Sequence, residues 1–216
     1  MALGYTMVYG IAKMLNFAHG DIIMVGAYAV ISTVSLAQLP GVVGVAVSVV
    51  VCVFLGVTIE FLAYRPLRKA PSLAVLITAI GVSYLLQSLA LLVFKSEPKA
   101  FPTIIEIPSL TFGGVVVDGM TLLTLAVTAV IMISLSLFIN KTKLGKAMRA
   151  VSEDKDAAEL MGISVNRTIT MTFAIGSALA AVASVFYGAT YTYIKPTTGS
   201  MPGIKAFTAA VFGGIG

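Results

Sequence analysis

Between Asn140 and Arg167 the chain gathers ten of its 23 charged residues (14 basic and 9 acidic in all) into 28 positions. On either side the sequence is nearly uncharged and apolar over a membrane-spanning length. An ionised side chain at the centre of a bilayer costs about 3 kcal/mol or more. Charge segregated in this way therefore marks an aqueous loop between two membrane-spanning helices, and it restricts the fold to a chain threaded repeatedly through a bilayer.

Composition agrees with that restriction. Hydrophobic residues make up 58% of the chain and charged residues 11%, with a mean hydropathy of +1.02. The expected fold class is an all-α, polytopic transmembrane helical bundle, a single domain over residues 1–216. The net charge of +5 calls for no nucleic acid, because basic residues on the cytoplasmic membrane face account for it. Cys52 is the only cysteine and lies in an apolar run, and there is one histidine, so neither a disulfide nor a metal site is expected. The start lacks a basic n-region and a small-residue cleavage site, so no cleavable signal peptide is expected.

Residues 1–12 are apolar but fall short of the roughly 20 residues a helix needs to cross a bilayer. After them come Lys13, Asn16, His19, Gly20 and Asp21, then an apolar run from Ile22 to Leu39 that ends at Pro40-Gly41. Full spans are expected at Gly41–Tyr64, Ser72–Phe94, Met120–Ile139 and Thr168–Tyr193, with Glu60 about one turn from the end of the first. Lys95–Gly119 is polar and broken by prolines and glycines; its IIEI and VVVD pieces read as short strands. Lys195–Gly203 is a short polar turn. The last apolar run, from Ile204, has 13 residues, too few to span. Both ends thus read as cut, and the chain as a fragment with about five complete spans.

Orientation follows from the basic residues. Tyr64–Pro71 carries three and Asn140–Arg167 six, against two in Lys95–Gly119 and one in Lys195–Gly203. The positive-inside rule puts the first pair in the cytoplasm. By alternation, Asn16–Asp21 is cytoplasmic or dips into the membrane from that side. Within the charged loop, Leu144, Ala147, Val151 and Ala158 fall at helical spacing, interrupted by Asp154, and Gly162 is a C-terminal stop. A short charged helix at a membrane surface is either a solvated connector or a docking helix whose apolar patch fills a partner's groove.

Inside the spans, Gly176, Ala180, Ser184 and Gly188 recur every four residues, a spacing that lets helix backbones approach closely. Packing within the chain and a seam between subunits both fit it. Thr78, Ser83 and Gln87 put hydrogen-bonding groups into the span at 72–94. Asn16, His19, Gly20 and Asp21 form either a plain turn or a broken-helix region lining a cavity; a proton relay through His19 and Asp21 is a third reading. No nucleophile elbow, phosphate-cradling loop or HExxH motif occurs, so the chain is not expected to be an enzyme.

Four ordered blocks carry a resemblance: GYTMVYGIAKMLNFAHGDIIMVGAY, YRPLRKAPSLAVLITAIGVS, TKLGKAMRAVSEDKDAAELMGI and GIKAFTAAVFGGIG. Together they resemble the LivH-type permease of branched-chain amino acid ABC importers over nearly the whole chain, with the start of the first helix and the last few helices missing. The resemblance implies a permease of the bacterial inner membrane that pairs with a second permease subunit. Two cytosolic ABC ATPases, which bind ATP-Mg, would power it, and a periplasmic binding protein would deliver Leu, Ile or Val. This chain would hold no cofactor of its own. The segment matching the ATPase-docking helix of such importers is Gly145–Gly162, with Gly145, Arg149, Asp154, Ala158, Leu160 and Gly162 as coupling residues inside a cytoplasmic loop at 140–167. No substrate-contact residue follows from the resemblance. Permeases for urea and short amides share much of the pattern and stand as an alternative. An ion-coupled secondary transporter is a reading from another class, and a non-transporting scaffold a third. The expected spans carry no ionisable residue at mid-depth, which argues against ion coupling.

Overall fold

The structure, a computed structural model, describes residues 1–68, 70–104, 108–112 and 115–214. Its elements in order are α1 (Ala2–Ala12), α2 (His19–Ile31), α3 (Gly41–Ile59), α4 (Ser72–Phe94), β1 (Lys99–Ala100), β2 (Leu110–Phe112), β3 (Val115–Val117), α5 (Gly119–Lys141), α6 (Lys143–Glu153), α7 (Lys155–Leu160), α8 (Val165–Tyr191), β4 (Tyr193–Ile194) and α9 (Ser200–Phe212). Single π-helical turns extend α2 through Ser32–Leu36 and α3 through Glu60–Tyr64. Among the described residues five helices, counted with these extensions, are long and apolar enough to cross a membrane: His19–Leu36, Gly41–Tyr64, Ser72–Phe94, Gly119–Lys141 and Val165–Tyr191.

Local chemistry sets the starts of these helices. Pro40 and Pro71 precede α3 and α4 in extended backbone, where a proline's missing N–H costs nothing. Asp118 accepts a hydrogen bond from the Thr121 backbone N–H and caps α5; Ser164 does the same for α8 from the Arg167 N–H.

The bundle is built around α8, which packs on α1, α2 and α3. Its small residues Gly176, Ala180, Ser184 and Gly188 are all buried. A side chain on Gly176 would come within 2.9 Å of Val8, and the Ser184 hydroxyl lies 3.5 Å from that of Ser48 on α3. Gly188 is covered by the Phe101 ring. Behind α8 lies α2, buried along most of its length, with α4 and α9 against its other sides. α5 stands at the edge, touching the bundle through α6 and α8, and Gly119 is its sole buried residue.

The two ends of the bundle differ as the basic residues foretell. At one end Arg68 bonds Asn166, and Lys155 reaches α1, so the two lysine- and arginine-rich segments share a face. At the other, β1 pairs antiparallel with β4, joining the two less basic segments, Lys99 opposite Ile194. The expected strand at VVVD exists as β3, paired with β2 in a hairpin whose register sets Leu110 opposite Val117. Most of the IIEI piece lies outside the described residues.

Two expectations need correction. The span expected to begin at Ile22 begins at His19, so Asp21 lies inside it rather than in a turn before it. The expected single helix through the charged loop is two helices, broken at Asp154.

Candidate functional site

Thr142 starts α6 by accepting a hydrogen bond from the Gly145 N–H at 2.9 Å. Gly145, Met148 and Val151 then face inward against the bundle, with Leu144 partly buried beside them. A side chain at Gly145 would run into the carbonyls of Phe138 and Ile139 at the end of α5. The apolar stripe read from the sequence therefore does not offer itself to a groove on a partner; it anchors the loop to its own chain. At Asp154 the backbone turns extended (φ −150°, ψ 117°) and the carboxylate accepts from the N–H groups of Asp156 and Ala157, at 2.9 and 3.0 Å. The residue that interrupts the stripe is thus the N-cap of α7, which is why the helix breaks there.

Ala158 is buried on α7, while Leu160 and Met161 stand 90% and 82% exposed. Gly162 closes the segment at φ +79°, a left-handed conformation in which glycine carries no Cβ penalty. Arg149 is exposed and donates to Asn140 Oδ1 at 3.0 Å. The outward face is therefore Arg149, Glu153, Asp156, Glu159, Leu160 and Met161: one apolar knob amid charge. Gly145 and Ala158 hold that face in place from behind.

The second constellation is the joint between α1 and α2. Lys13 ends α1 in the left-handed region (φ 55°), its N–H bonded to the Tyr9 carbonyl at 2.8 Å. The chain leaves helical geometry until His19, and Asn16, His19 and Asp21 are all buried. Asn16 Oδ1 accepts from the Tyr64 hydroxyl at 3.0 Å. Asp21 accepts from Ser83 and, at 3.0 Å, from Gln87 Nε2, and the same amide nitrogen reaches Ser200 Oγ at 3.1 Å. Ser83 falls at the middle of α4. A carboxylate therefore sits near mid-depth after all, and the argument against ion coupling drawn from its absence does not hold. His19 does not join Asp21's hydrogen bonds; its ring packs edge-on to Tyr5, with centroids 6.1 Å apart. Gly20 meets the carbonyl oxygen of Gly199, where no side chain would fit.

A third feature links the other two and was only half legible in the sequence. Glu60, fully buried, pairs with Arg68 and accepts from Thr170 Oγ1 at 2.8 Å, while Arg68 also donates to Asn166. Four polar groups thus clamp the end of α3 to the start of α8. Beside them Lys155 Nζ donates to the Ala12 carbonyl at 3.2 Å, capping α1 from α7. Burial, and next the nearby Arg68, hold the Lys155 ammonium below its usual range. The signal that could have been used was Glu60 itself, since a carboxylate near a span's end needs a partner.

The family described as branched-chain amino acid transport system, permease component, matches residues 1–216. The high-affinity branched-chain amino acid transport system permease protein BraD of Pseudomonas aeruginosa is 45% identical, across all of this chain and 74% of BraD. The corresponding protein LivH of Escherichia coli K12 is 40% identical, again over the whole chain and 74% of LivH. A probable branched-chain amino acid transport permease protein LivH of Methanocaldococcus jannaschii is 28% identical over the whole chain and 69% of its length. No solved structure matches the chain.

Proposed function

The chain belongs to the family of branched-chain amino acid permease components, and on that premise we propose that it is one membrane subunit of an ATP-driven importer of Leu, Ile and Val. It spans the bacterial inner membrane with the face carrying α6 and α7 in the cytoplasm. A second permease subunit completes the path, a periplasmic binding protein delivers substrate, and two cytosolic ABC ATPases bind and hydrolyse ATP-Mg. This chain carries out no catalysis; it turns their closure into alternating access.

One observation carries the coupling reading: a rigidly backed loop turns a single apolar knob outward while its inner side holds α1. Leu160 and Met161 suit a groove on an ATPase, with Arg149, Glu153, Asp156 and Glu159 fixing the register. Lys155 carries a displacement of α7 to the end of α1, and so to the joint that precedes Asp21. Gly145 and Ala158 keep α6 and α7 seated, Asp154 sets the angle between them, and Gly162 ends the segment.

The test is a reconstituted complex in proteoliposomes. Arg149→Glu is expected to abolish stimulation of ATP hydrolysis by the loaded binding protein, while insertion and abundance stay normal. Normal uptake and normal stimulation in that variant would remove the docking role. The buried Asp21 near mid-depth favours a second reading, ion-coupled uptake. Uptake that survives ATP depletion but collapses with the proton gradient would select it.

A further inference from the structure

A groove of about 270 Å³ lies between α4 and α9, with the residues that lead into α2 behind it. Ser83, Gln87 and Ser200 supply its polar lining, and Phe17, Ile80 and Ile204 its apolar walls. It opens to the outside of the bundle, for Ile204 is half exposed and Tyr84 at the rim more so. A concave, mostly apolar site with a few convergent polar groups is the usual form of a small-molecule pocket.

Resting on the branched-chain amino acid reading of the function, we propose that this groove holds the substrate in transit, a zwitterionic amino acid with an apolar side chain. The Gln87 amide oxygen accepts from its ammonium group in the field of the Asp21 carboxylate. The Ser200 hydroxyl donates to its carboxylate. Phe17, Ile80 and Ile204 enclose its hydrocarbon.

Hydrogen-bond accounting fixes which atoms are available. The Asp21 carboxylate can only accept, so the Gln87 amide must turn its nitrogen toward it. That nitrogen also faces Ser83 at 3.2 Å and Ser200 at 3.1 Å, and among the described residues no donor meets the amide oxygen. Ser200 accepts from Gln87, which leaves its own proton to give. One acceptor and one donor thus remain unspent, the complement of an amino acid's two ends.

The fixed charges run the same way. Ser200 begins α9, a 13-residue helix whose positive end favours a carboxylate. Asp21 lies in the first turn of α2, at the positive end of that helix. Among the described residues the one ion pair is Arg68 with Glu60, so no described lysine or arginine pairs with Asp21. A buried carboxylate without a counter-ion is costly in a low dielectric. An ammonium arriving one hydrogen bond away relieves that cost while it stays, and leaves again because it never bonds Asp21 directly.

The test uses the complete complex in proteoliposomes with [³H]leucine and its binding protein. Gln87→Met keeps side-chain length without the amide, and Ser200→Ala removes only a hydroxyl. Each is expected to cut leucine uptake about tenfold, the worth of a hydrogen bond to a charged group. ATP hydrolysis stimulated by leucine-loaded binding protein is expected to persist, so that transport and hydrolysis part company. Uptake unchanged in both variants overturns the site, as does loss of uptake and hydrolysis in equal proportion, the mark of a merely structural role. A wild-type complex that takes up none of Leu, Ile or Val overturns the functional reading, and with it the ligand named here.

Discussion

Glu60 has no exposure, whereas Arg68 keeps 13% of its side chain at the surface, so the two partners of this ion pair are not equivalent. Removing the guanidinium strands a carboxylate in the bundle. Removing the carboxylate leaves a long side chain that can swing its charge toward the interface. Arg68→Met is therefore expected to cost about 3–5 kcal/mol, the range for breaking a buried pair from one side. Glu60→Gln should cost clearly less, because the amide can still accept from Thr170. Thermal unfolding of the detergent-solubilised chain checks the order; equal losses would mean that the pair is symmetric and exposed. At this scale the sequence was only half legible. Glu60 was recognisable as a carboxylate near a span's end, but its partners lie eight, 106 and 110 residues along and through a turn. Asn166 is held through Arg68, and no hydropathy pattern encodes that.

Among elements, the break at Asp154 and the meeting of α2 with α9 each make a measurable claim. Asp154→Ala removes the cap of α7 and is expected to cost about 1 kcal/mol of local helix stability, while Asp154→Asn, which still caps, should cost little. Faster amide exchange over 155–161 in the alanine variant alone is the readout. Gly20→Ala drives a methyl into the Gly199 carbonyl and to 2.9 Å from the Gly203 Cα, a backbone clash with no side chain able to yield. A loss of about 3 kcal/mol is expected, the upper part of the overpacking range. Gly10→Ala meets nothing within 4 Å and should be neutral or stabilising by about 0.5–1 kcal/mol through helix propensity. Paired melting curves for the two variants separate these outcomes. Gly162 and a polar break after α1, although it ends before His19, were readable in advance, because a left-handed stop and a polar gap are local chemistry. The depth of Asp21 was not. It is set by Ser83 and Gln87, more than sixty residues away, and by how far the chain turns back after Lys13.

Across the molecule, hydropathy and the tally of lysine and arginine sufficed for five spans and for the sorting of loops between two ends. They could not tell which side of α6 turns inward, because a short amphipathic helix fits a bundle and a partner equally well. The exposed remainder is small, which sharpens the expectation. The double variant Leu160→Glu, Met161→Glu should leave abundance and binding-protein docking intact and reduce stimulated ATP hydrolysis at least about tenfold, as for loss of a central apolar anchor. Unchanged hydrolysis would move the docking surface elsewhere. The contact of Gly20 with Gly199 and Gly203 has a further consequence. Two backbones lie bare against each other there, with no knob seated in any hole. Helices that approach this closely are held by backbone packing, so a pull on α1 through Lys155 that reaches α2 is passed to α9 as well.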